Sequence, residues 1–165
     1  MLKKTLFLMI FILYSDTLLA QPKNCITLAA HCFNINQLLI NAIIWQESKN
    51  NQWAVSKNKN RTLDVGLMQI NSIHFKKFKT MGVSESDLRN NSCANVFAGT
   101  WIIQQLTQRY GYSWDSIGRY HSSTPGYKVG YIKKIINIIA YKKDVAEFHV
   151  PESDIASKFT CVEKR

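Results

Sequence analysis

Four cysteines behind an apolar leader set the tightest limit on what this chain folds into. Lys3 and Lys4 precede an unbroken apolar run, Leu6 to Tyr14, and the segment closes on the small residue Ala20. A basic start, a short apolar stretch and a small residue at the end mark a secretory signal peptide, cleaved here after Ala20. The run is too short to cross a hydrocarbon core of about 30 Å. Cys25, Cys32, Cys93 and Cys161 all lie beyond the leader. An even cysteine count in an exported chain favours disulfides, and four cysteines leave three pairings open. A zinc site is the poorer alternative: no Cys-x-x-Cys occurs, and His31 beside Cys32 has no matching second pair. No metal or cofactor is expected.

The 165 residues suit one domain with one core. Hydrophobic residues make up 46% and charged ones 19%, which excludes a disordered chain and a polytopic membrane protein. We divide the chain into a signal peptide over 1–20, a globular domain over 21–146 and a polar tail over 147–165. The tail is expected to fray, apart from Cys161. The net charge of +10 suits an anionic cell envelope, an acidic glycan, a membrane surface or nucleic acid. Export and the lack of a recognised motif argue against nucleic acid. Between Gln21 and Lys143 the only acids are Glu47, Asp64, Glu85, Asp87 and Asp115, so each carboxylate can be weighed singly.

The periodicity is helical. Ile26 to Phe33 reads as a short helix, and Asn36 as the N-cap of a helix over Gln37 to Ser48. Ser72 to Lys79 reads as a short basic helix, and Ser84 with Asp87 as a capping box. Ser92 is expected to cap a long helix from Cys93 to Tyr110, with Gly111 after its end. Ser113 is expected to cap Trp114 to His121. A last helix is expected over Tyr127 to Val145, with Val129, Ile132, Ile135, Ile136 and Ile139 recurring. No clear β-alternation occurs. The fold class is mainly α, with a short extended or turn element at Gly66.

Glu47 is the carboxylate out of place. It lies in line with Ile40, Ile43 and Ile44 at the C-terminal end of an amphipathic helix, the worse end for an anion. An apolar face and a helix C-terminus both raise a carboxyl pKa, as a general acid near neutral pH requires. The bland alternative is a half-exposed Glu paired with a lysine. Downstream, Gly66-Leu67-Met68-Gln69-Ile70-Asn71 alternates apolar and amide residues. An extended strip would place Leu67, Gln69 and Asn71 on one side, offering neutral donors and acceptors to sugar hydroxyls and N-acetyl groups. A turn with surface amides is the other reading.

Glu47-Ser48, Ala54-Val55-Ser56 and Gly66 to Asn71 together resemble the signature of lytic transglycosylases with a lysozyme-like (SLT) fold. Asn95 and Gly99 resemble that family's Asn … Gly-Ala helix. Tyr110 to Gly118 resembles its small members, which are exported and accompany type III, type IV or pilus machines. The resemblance implies a lysozyme-like single domain in the periplasm of a Gram-negative bacterium, monomeric, without a membrane span after cleavage. Its substrate would be the glycan strand of peptidoglycan. Glu47 would protonate the glycosidic oxygen after N-acetylmuramic acid, then act as base while the sugar's 6-hydroxyl closes a 1,6-anhydro ring. One carboxylate suffices because the nucleophile belongs to the substrate, whereas glycosidases that use water need two.

Ser48, Gln69 and Tyr120 match positions that shape the site or hold sugar; Asn71, His121 and Met68 complete the expected substrate-binding set, Met68 as packing. Asp64 is an auxiliary candidate that would face Glu47 and leave room for hydrolysis; the alternative is a turn-forming Asp. One departure stands out. Where the family reads Ala-Tyr-Asn-Ala-Gly, this chain has Arg119-Tyr120-His121-Ser122-Ser123. The resemblance also implies a Cys25–Cys93 bridge, leaving Cys32 with Cys161. The rival readings are a muramidase with the same fold, and a non-catalytic peptidoglycan-binding assembly protein.

Overall fold

Asn36 starts the helix that carries Glu47. Its side-chain oxygen accepts from the N–H groups of Leu38 and Leu39 and caps α2, Gln37–Ser48. The computed structural model describes residues 24–161; the signal peptide expected over residues 1–20 lies outside them. α1 (Cys25–Phe33) precedes α2 and is capped by Asn24. After α2 comes a small antiparallel sheet, with β1 (Val55–Lys57), β2 (Leu63–Val65) and β3 (Ile70–Asn71) in that order. Its register sets Ser56 opposite Asp64, and Asp64 opposite Asn71.

A 3-10 turn at Ser72–His74 leads into α3 (Phe75–Thr80). α4 (Glu85–Asn90) opens with the expected capping box of Ser84 and Asp87. α5 (Ser92–Tyr110) is the central helix, with α1 packed on it. α6 is Trp114–Gly118, and α7 is Pro125–Tyr141, packed on α2.

Phe33, Phe78, Phe97 and Phe159 centre the core in edge and tilted contacts, with ring centroids 5.3–6.3 Å apart. Two disulfides, Cys25–Cys93 and Cys32–Cys161, tie α1 to α5 and to the end of the described chain. The fold is mostly helical with a small sheet, in keeping with a lysozyme-like domain.

Several boundaries differ from the sequence reading. Asn91, not Ser92, caps α5, because its side chain reaches the Ala94 N–H at 3.0 Å. α6 stops at Gly118, three residues early. A Cβ at Gly118 would collide with Lys128 and Ile132 of α7, so the crossing helix fixes that position. α7 begins at Pro125, whose fixed φ suits a first helical turn. It ends at Tyr141, where a 3-10 turn at Lys143–Glu147 carries Val145 into the core. Its inward line is Tyr131 and Ile135, while Val129 and Ile136 face out.

Over residues 147–161, the part of the tail among the described residues, the chain is held against the domain. Val150, Ile155 and Phe159 are buried. The Cys25 N–H donates to the Val150 carbonyl, and Asn24 bridges Pro151. Scattered apolar residues thus hold a segment that has no helical period. Among the described residues no single helix is long and apolar enough to cross a membrane; the bent pair α1–α2 passes on length and composition, but its apolar side chains fill the core.

Candidate active site

Glu47 is the penultimate residue of α2, and Lys49 ends that helix in a left-handed conformation. Its carboxyl opens into a cleft of about 700 Å³ shared with Asp64, Gln69, Asn71, Tyr120 and His121. Burial raises the Glu47 pKa from its ordinary 4.5 to about 7. The Asp64 charge pushes the same way. Tyr131 by its hydroxyl, then Lys49 and Lys134 by their charge, oppose it. The Tyr131 hydroxyl faces the carboxyl but falls short of full hydrogen-bond geometry, since it and Glu47 Oε1 are both buried without a partner. An unpartnered buried oxygen is costly in a folded protein.

Asp64 sits mid-strand on β2, held by two amides. Asn71 Nδ2 donates to Oδ1 at 2.6 Å and Asn58 Nδ2 to Oδ2 at 2.8 Å. The hairpin therefore fixes the second carboxylate of the cleft.

The strip from Gly66 to Asn71 is a turn entering β3, not an extended ribbon. Gln69 has φ +49°, and Leu67 and Met68 are both fully buried. The amides there serve the fold. Gln69 Nε2 donates to the Ala54 and Gly66 carbonyls, and its Oε1 accepts from Ser56. Asn71 donates to Thr62 and Asp64 and caps the following 3-10 turn. Both line the cleft while bonded internally.

Buried Asn95 on α5 locks the turn with three bonds. It accepts from the Met68 N–H at 2.8 Å and donates to the Val65 and Leu88 carbonyls at 2.9 and 2.8 Å. Gly66, at φ +75°, lets that amide approach, since a Cβ there would run into it. Gly99 likewise leaves room for the Met68 side chain. Met68 is core packing outside the cleft lining. Ser48 also does not line the cleft; its hydroxyl donates back to the Ile44 carbonyl at 3.1 Å.

Tyr120 lines the cleft and donates its hydroxyl to the Met68 carbonyl at 2.8 Å, pinning the turn from the other side. The His121 ring stacks on Tyr131 with centroids 4.9 Å apart and planes 5° from parallel. Burial and then Lys134 lower the His121 pKa, against the pull of Asp64. Both effects favour the neutral imidazole.

The sequence reading missed Tyr131 and Asn58. Tyr131 shares the inward face of α7 with Ile135, a face the sequence pattern does not single out. Among the described residues, no three His, Cys, Asp or Glu side chains are grouped to hold a metal ion.

The family model of the transglycosylase SLT domain matches residues 24–126, more than half the chain. The chain belongs to the transglycosylase SLT domain family. The match contains the cleft carboxylates and stops at the start of α7, so Tyr131 comes from outside it. Invasion protein IagB of Salmonella typhimurium strain LT2 is 41% identical over 101 residues, 61% of this chain and 63% of IagB. Protein IpgF of Shigella flexneri is 35% identical over 101 residues, 61% of this chain and 66% of IpgF. X polypeptide of Escherichia coli K12 is 29% identical over 99 residues, 60% of this chain and 59% of that protein. The chain thus spans under two thirds of the length of these relatives.

Proposed function

We propose that this chain is an exported peptidoglycan lytic transglycosylase. It would cut the β-1,4 bond between N-acetylmuramic acid and N-acetylglucosamine and leave a 1,6-anhydro end. The observation that carries the reading is the buried carboxyl of Glu47 in an open cleft, with a pKa near 7. Such a group holds a proton at neutral pH and is a competent base once the proton has left.

In the first step Glu47 gives its proton to the glycosidic oxygen, and the bond from that oxygen to the muramic acid C1 breaks. The ring carries oxocarbenium-like positive charge. Asp64, anchored by Asn71 and Asn58, offers that charge a fixed anion. In the second step the 6-hydroxyl oxygen bonds to C1 and its proton returns to Glu47. No water is consumed. Tyr120 and Asn95 are positioning residues, since both hold the turn that backs the cleft. The departure at His121 puts an imidazole in the cleft lining, able to hydrogen-bond sugar.

Asp64 favours one second reading: a muramidase in which the carboxylate pair directs water to C1. Mass spectrometry of products released from purified peptidoglycan separates the two. Anhydromuropeptides from the unaltered protein, and none from Glu47→Gln, support the transglycosylase. Reducing ends would establish the muramidase. With an internal nucleophile, Asp64→Asn should cost far less than Glu47→Gln. Absence of any product would favour a peptidoglycan-binding assembly protein.

In this reading residues 1–20 are the export leader, 21–146 the catalytic domain and 147–165 a polar tail. The site of action is the periplasm of a Gram-negative bacterium. The name of the IagB relative, an invasion protein, supports a place beside a type III, type IV or pilus machine, where local opening of the wall makes room for the apparatus.

A further inference from the structure

The cations around the cleft differ in one respect. At the end near α6, Arg119 is bonded to Asp115 at 2.7 Å and stacks on Tyr110 at 4.2 Å, and Lys128 pairs with the same aspartate. By contrast, Lys57 at the end of β1, and Lys59 and Arg61 on the tip joining it to β2, stand within five residues of one another. All three are exposed, with no ion-pair partner among the described residues.

The tip that carries them is tightly built. Asn58 N–H donates to the Thr62 carbonyl, Arg61 N–H to the Asn58 carbonyl, and Thr62 to Asn60 Oδ1 through both its N–H and its hydroxyl. The Asn58 side chain ties the tip to Asp64. Three like charges on a rigid loop repel one another and are stabilised by an external anion. The Leu63 N–H donates to Ser72 Oγ, and Asn71 to Thr62. These bonds hold the tip beside Ile73, an apolar side chain 67% exposed. Lys59, Asn60 and Ile73 all line the cleft that holds Glu47.

We propose that this tip, Lys57, Lys59 and Arg61 with Ile73 beside them, binds the carboxylates of the peptide stems that branch from peptidoglycan. The inference rests on the transglycosylase reading for the identity of the strand in the cleft. Glycan sugars are neutral here, because the lactyl carboxyl of muramic acid is used in the amide that joins the stem. A strand lying in the cleft presents anions only through its stems, which carry free carboxylates and alanine methyl groups. An acidic protein partner would not need Lys59 and Ile73 to face the cleft. The tip would make the enzyme choose strands whose stems are in place over strands stripped of them.

The test measures binding of the full chain after the leader, in the Glu47→Gln background so that no strand is cut. The probes are fluorescent uncrosslinked glycan strands, either with stems or stripped by an amidase and with the lactyl carboxyls so freed blocked as methyl amides. Intact strands should bind about five- to tenfold more tightly, the size of a few exposed ion pairs. The triple variant K57Q/K59Q/R61Q should bring that ratio close to one, and the charge-keeping K57R/K59R/R61K should restore it. Raising salt from about 50 mM to about 0.5 M should erode the ratio in the parent protein. The salt titration and the charge-keeping variant stand even if the triple variant folds poorly. Equal binding of the two strands by the parent protein overturns the proposal, as does a triple variant that keeps the preference or loses affinity for both strands alike. Failure of the transglycosylase reading is seen separately. The uncut-strand preference would then persist, while the protein with Glu47 intact releases no anhydro product.

Discussion

Replacing Glu47 with glutamine should stabilise the protein, and only where the native carboxyl is forced to ionise. Its pKa rises from 4.5 in an exposed chain to about 7 in the fold, chiefly through burial. Below pH 4.5 the group is neutral in both states and contributes no difference. Between 4.5 and 7 the unfolded chain releases the proton while the native state keeps it. The native state binds more protons there, so stability falls as pH rises. Above about 7 the carboxylate is charged in both states, and the native state bears the full cost of its burial. At 1.36 kcal/mol per pH unit, a gap of about 2.5 units amounts to about 3 kcal/mol. Glutamine keeps the shape without the charge, and its amide can donate to the unpartnered Tyr131 hydroxyl. Urea unfolding followed by tryptophan fluorescence, disulfides intact, should show Glu47→Gln ahead by about 2–3 kcal/mol at about pH 8.5 and nearly level at about pH 4. Subtracting parent from variant at each pH cancels the other titrating groups. A gap that is the same at both values, or a variant less stable at the higher one, would refute the reasoning. The expected result would make this carboxyl a case of stability given up for function.

Three further outcomes are expected. The pH profile of kcat/KM should fall as pH rises through about 7, because only protonated Glu47 can donate. Tyr131→Phe should move that limb to higher pH, since the hydroxyl favours the carboxylate; an unmoved limb would remove Tyr131 from the site. Asn95→Ala leaves the Met68 N–H and the Val65 and Leu88 carbonyls without their partner. It should cost about 3–5 kcal/mol of stability in urea melts, and a loss under about 1 kcal/mol would contradict the role given to Asn95.

The helices were legible where a polar cap preceded a clear period of three and four. Asn36 before Leu39, Ile40 and Ile43 defined α2 to the residue, and Ser84 with Asp87 defined the start of α4. The sheet was not legible, because strands of two or three residues cannot show alternation, and β1 is exposed along its length. α7 carries isoleucines on more than one side, so its pattern could not separate the inward pair Tyr131 and Ile135 from the outward Val129 and Ile136. That ambiguity hid Tyr131. Gln69 and Asn71 were legible as residues of the cleft but not as brackets of the hairpin, since an amide suits backbone and sugar equally. Glu47 was legible because an acid in an apolar row at a helix end has few bland explanations.

The two disulfides interlock, first cysteine to third and second to fourth. If the chain is exported as proposed, amino end first, Cys25 and Cys32 emerge before either correct partner. The nearest available bond is the wrong one. Both residues belong to α1, and seven residues along a helix is about 10 Å of axial distance. Bonded cysteines need Cα atoms within about 7 Å. In the fold α1 holds the two thiols too far apart to join each other, so a Cys25–Cys32 bond is open only to a chain in which that helix is unwound.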